Sequence, residues 1–107
     1  MKLMTKALLK KFPKLYANEH KAPEDIVVVA KYFTPDSSWT WYATEYDGND
    51  LFFGFVDGHE PELGYFSLME LESVKGPFGL HIERDMWFKE GTTLADVMKQ
   101  THKEQHG

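Results

Sequence analysis

The chain has 107 residues, 42% of them hydrophobic and 15% aromatic, with no cysteine and a formal net charge of −5. That length suits one modest core, and the composition belongs to a folded chain and not a disordered one. A disulfide scaffold, a thiol nucleophile and thiolate metal sites are excluded, which fits a soluble cytoplasmic protein.

The opening MKLMTKALLKKF carries a lysine every few residues, so it lacks the uninterrupted apolar run of a signal peptide or membrane span. Thr5 is placed to cap a short helix reaching about Phe12, with Leu8, Leu9 and Phe12 as its apolar stripe, and Pro13 ends it. Residues 1–16 thus form an N-terminal helix and loop, and the polar stretch to Asp25 continues the loop. The run IVVVAKYFT, residues 26–34, predicts a strand covered on both sides.

After the turn PDSS, the stretches 39–46 and 51–57 predict two strands joined by the hairpin loop DGND. Alternation puts Trp39, Trp41, Ala43 and Glu45 on one face and Thr40, Tyr42 and Thr44 on the other. Both faces carry rings, so neither reads as a plain solvated face. A fourth short strand is expected at 63–66, which closes a sheet core spanning 26–66. Ser67 and Glu70 have capping-box spacing before a helix over 67–75, some of 80–89 is extended, and Thr93 with Asp96 repeats that spacing before a helix over 93–101. The tail HKEQHG is expected to fray. Together these elements make one α+β domain, 1–107, with a mainly antiparallel sheet of four to five strands and three short helices.

Charge is unevenly placed. Residues 1–31 hold seven lysines and three acids, residues 32–74 hold nine acids with no lysine or arginine, and residues 75–107 hold five of each sign. A field of that kind repels phosphate backbones and attracts basic surfaces.

In FTPDSSWTWYATEYDGNDLFFGFVDGHEPELGYFSLMELESVKGPFGLHIERDMWF the ordered blocks PDSxWTWY, LFFGxVxG, ELGYFSLxELE and IERD resemble a small bacterial family, domain of unknown function 2958. The start, MKLMTKALLKKFPKLY, is similar too, so the resemblance covers nearly the whole chain. It implies a small protein of plasmids, phages and integrated elements, often encoded near genes for conjugation or evasion of host defences. It carries over no established catalytic residues, and no cofactor is expected.

Three chemistries compete for the remaining residues. LFFGFVDG shares FGFV with the RNA-recognition octapeptide, but Leu51 stands where a basic residue belongs and Glu45, Asp47, Asp50 and Asp57 flank it, so single-stranded nucleic-acid binding is disfavoured. His59 or His81 with nearby carboxylates could serve a small metal-dependent hydrolase, yet neither DGHEPE nor HIERD has a recognised ligand spacing. The reading that absorbs most residues is non-enzymatic: a basic partner protein docks on an acidic, aromatic surface made by Trp39, Trp41, Tyr42, Glu45, Asp47, Asp50, Asp57, Glu60 and Glu62. Inhibition of a host nucleic-acid-handling defence factor would be one form of it. A homodimer could cover the same rings.

Overall fold

A computed structural model describes residues 1–106 and gives a five-stranded antiparallel sheet with three helices. In chain order the elements are α1 (Lys6–Leu9), β1 (Ala30–Phe33), β2 (Thr40–Tyr46), β3 (Leu51–Asp57), β4 (Pro61–Ser67), α2 (Leu68–Ser73), β5 (Glu83–Arg84) and α3 (Leu94–His106), with a 3₁₀ turn at Pro23–Asp25. Strand order across the sheet is β4-β3-β2-β1-β5, so the seven-residue β4 and the two-residue β5 form the edges.

The hairpin is the central unit, as the sequence predicts. Asp47 closes its loop, with Oδ1 accepting from the backbone N–H groups of Asn49, Asp50 and Leu51 at 2.8, 2.8 and 3.0 Å. Gly48 supplies the positive φ of 87° that a side chain would resist. Further along, Tyr42 faces Phe55 and Ala43 faces Gly54, and then the register slips between Ala43 and Glu45. This β-bulge at Thr44 turns Glu45 over to the face of Phe53 and puts Tyr46 opposite Phe52. Strict alternation, which grouped Glu45 with Trp39 and Trp41, is corrected by that one extra residue.

Local chemistry also sets the ends of the helices. Thr5 caps α1 by accepting from Leu8 N at 3.1 Å, but the helix stops at Leu9. The next N–H groups, of Lys11 and Phe12, bond three residues back, a tightening that precedes Pro13. Ser67 caps α2, and Thr93 and Asp96 form a reciprocal box at 3.2 and 3.0 Å that opens α3. α3 runs past the expected Thr101 to His106, so the predicted fraying is replaced by helix as far as that residue, and Gly107 lies outside the described residues.

β1 is shorter than 26–34 because its first half pairs elsewhere. Val27 bridges Thr93, Val28 N donates to Thr92 O, and Leu94 N donates to Ile26 O, which straps the start of α3 across the sheet. The strap gives each face its own core. On one side Tyr32, Trp41, Ala43, Tyr46, Phe52 and Phe66 lie beneath Leu3, Leu8 and Leu71. On the other, Val28, Tyr42 and Phe55 lie beneath Leu94 and Val97, with Phe88 and Met98 alongside. Two short helices and a loop are therefore enough to roof one face, and α3 roofs part of the second.

Candidate functional site

Among the described residues no lysine or arginine pairs with an acid of 32–74. Lys11–Glu90, Glu19–His20 and Lys31–Asp85 pair at 3.5, 3.9 and 3.8 Å, and none of these three uses an acid from that segment. The sheet does divide those acids. Asp47 and Asp50 lie at the β2–β3 loop, whereas Asp57, Glu60 and Glu62 lie at the opposite end of the same strands.

At the first end both aspartates have structural work. Asp50 Oδ2 accepts from Ser67 Oγ at 2.6 Å and Oδ1 from Met69 N at 2.8 Å, which ties the hairpin loop to the start of α2. The three backbone bonds to Asp47 hold its carboxyl below the usual carboxylate range. Both therefore have a structural role within the chain, although Asp47 stays exposed.

At the second end the Trp39 indole lies across Gly58 and meets the His59 ring edge-on at 5.2 Å, with Trp41 5.7 Å away. Trp39 is half-buried, and His59, Glu60 and Glu62 are exposed. Asp57 is half-buried, and burial followed by the field of Glu104 on α3 raises its carboxyl above the ordinary value. Tyr42 nearby is pushed up to about 12 by burial first and then by Asp57, Glu104 and Asp85. Asp57 and Glu104 therefore raise the cost of charge on one another at this end, while Lys31, paired with Asp85, lies 5.8 Å from the Tyr42 ring.

Three of the predicted surface residues are not on the surface. Trp41 packs in the first core and Tyr42 in the second, each less than a tenth exposed. Their burial follows from the roof that α3 and the N-terminal segment provide, which the strand pattern alone does not specify. Glu45 is 4% exposed, and its carboxylate accepts from Tyr16 N and Asn18 N, both at 2.9 Å. It pins the loop that follows α1 against the sheet.

The structure also shows a feature that the linear pattern did not mark. Glu45, Phe53 and Tyr65 stand in one row across β2, β3 and β4, and Leu63 lies beside Tyr65 on the edge strand. This part of the second face extends beyond α3. Leu63 is 48% and Tyr65 50% exposed, and Tyr16 closes the groove from the opposite side. The resulting volume is about 340 Å³. Tyr16 holds a φ of 70°, rare for a bulky side chain, in the loop fixed by Glu45. The signal in the sequence that could have found it is the shared phase of Leu63 and Tyr65 in the strand expected at 63–66.

The other chemistries find less support. Phe55 of the FGFV platform is buried beneath α3 and cannot stack on a base. Among the described residues no three histidine, aspartate or glutamate side chains converge in a way that could hold a metal ion. His81 is exposed and its backbone bridges Lys75, while Asp85 pairs with Lys31 and its Oδ1 accepts from Trp87 N at 2.9 Å. No described helix is long and apolar enough to cross a membrane.

A family model described as "Protein of unknown function (DUF2958)" matches residues 3–106. The chain belongs to that family. No curated protein and no solved structure matches it. Membership in DUF2958 therefore covers the whole fold, including both ends of the sheet and the groove, and carries no assigned chemistry.

Proposed function

We propose that this DUF2958 member is a non-enzymatic interaction module that docks a basic partner protein on the β3–β4 side of its sheet. The observation that carries the reading is acid with no lysine or arginine partner at a sheet edge where the side chains of Trp39, Leu63 and Tyr65 are exposed or half-buried. Glu60 and Glu62 project from the turn and the edge strand, with Trp39 and His59 on the Trp41 face of that edge and Phe53, Leu63 and Tyr65 on the opposite face. Acid around a partly desolvated aromatic patch steers a basic partner by charge and holds it by the rings. Trp41, Tyr42 and Glu45 act as support from within, and Asp47 and Asp50 as loop and helix caps. In the mobile-element setting that the family resemblance implies, the partner we would seek first is a host factor with a nucleic-acid groove, which the acidic flank would occupy in place of phosphate.

Charge reversal at the exposed positions tests this without touching a cap. The double variant Glu60→Lys, Glu62→Lys should keep its melting temperature and lose salt-sensitive capture of basic proteins from host lysate. Capture equal to that of the parent chain would remove the proposal.

A further inference from the structure

The groove beside β4 has a composition that selects a particular chemical group. Three rings line it, from Tyr16, Phe53 and Tyr65, and the last two meet nearly edge to face with centroids 5.0 Å apart. At its base lies Glu45, almost fully buried, with two backbone N–H bonds and, among the described residues, no ion-pair partner. Glu19 stands at the rim. The Tyr65 hydroxyl is raised chiefly by its hydrogen bond to Tyr16, then by burial, with Glu45 and Glu19 as the smallest contributors. Ring faces attract cations through their quadrupoles, and a desolvated carboxylate below them adds to the attraction. A neutral apolar guest would gain from the rings and leave the charge of Glu45 unanswered.

We infer that the groove bounded by Tyr16, Phe53, Leu63 and Tyr65 over Glu45 binds an alkylammonium group. Its occupant is a lysine side chain of the partner, an assignment that rests on the docking reading above. The apolar stem lies along Leu63 and Phe53, and the ammonium sits among the rings above the carboxylate. Lys21 also lines the groove but forms no ion pair there, so its charge opposes an incoming cation from the rim.

Ring-proton NMR shifts of the intact chain, titrated with n-butylammonium chloride and separately with 1-butanol, test the inference. Saturable shifts of Tyr16, Phe53 and Tyr65 with the ammonium, and much weaker ones with the alcohol, are expected, with a dissociation constant on the order of millimolar for a few cation–π contacts. Tyr65→Leu, an exposed position, should keep the fold and weaken binding several-fold, and Lys21→Met should strengthen it. Equal responses to ammonium and alcohol, or none that saturates, would overturn the inference. Ammonium binding together with undiminished partner capture by the Glu60→Lys, Glu62→Lys variant would retain the site and discard the docking reading. Lost capture without ammonium binding would do the reverse.

Discussion

Glu45 offers the sharpest check on how this fold is held together. Its carboxylate accepts from Tyr16 N and Asn18 N across sequence separations of 29 and 27 residues, and among the described residues neither donor has another acceptor. Truncation to alanine leaves the Asn18 donor inside the protein and the Tyr16 donor partly wetted. An unpaired buried donor costs about 1–3 kcal/mol, and relief of a lone buried carboxylate returns part of the sum, so we expect a net loss of ~3 kcal/mol for Glu45→Ala. For a chain of this size about 4 °C of melting temperature accompanies each kcal/mol, hence a fall of ~12 °C in calorimetry. Glu45→Gln keeps one acceptor oxygen and should fall between the two. Because the loop is the first thing released, trypsin should cut at Lys14 and Lys21 faster in the alanine variant under native conditions, before global unfolding. A melting point within about 4 °C of the parent, with unchanged cleavage, would show that the carboxylate does not pin the loop.

Two further substitutions probe the sheet. Asp57 has a folded pKa raised above its unfolded value, so its stabilising contribution is present below the unfolded carboxylate range and is lost as pH rises through the folded pKa. Asp57→Asn should therefore be more stable than the parent at neutral pH, with the gap closing below about pH 4, as read from melting curves across pH; a variant that is less stable at neutral pH would contradict the assignment. Gly54 faces Ala43 in the middle of the sheet, and a Cβ there would press into the backbone carbonyl of Tyr42. Gly54→Ala should cost more than 3 kcal/mol, roughly what overpacking a core costs at its upper end, and a mild loss by urea denaturation would show that the sheet can move aside.

Local signals carried much of this architecture. The DGND loop, Ser67 before Glu70 and Thr93 before Asp96 are short-range chemistry, and the hairpin and both caps formed where the residues predict them. Asp47 was legible as a turn cap by the same logic, since aspartate at a loop start commonly bonds backbone amides just ahead. Long-range facts were not legible. The bulge at Thr44 reversed the side of Glu45, and no pattern in the strand announces a single extra residue. The burial of Tyr42 required knowing that Ile26–Val28 would bind the residues before α3 and lay that helix over the sheet. The groove needed both, because it is the part of the second face that α3 leaves uncovered and that Glu45, once turned over, supplies with charge.

Site-specific photocrosslinking offers the most direct test of the docking claim. A photoreactive residue placed at Glu62 or Leu63 on β4, with one at Lys6 on α1 as reference, would be exposed to host lysate and its adducts identified by mass. The account predicts a recurrent adduct with a basic protein from the β4 positions and none from Lys6. Adducts of equal yield from both surfaces, or from Lys6 alone, would contradict it.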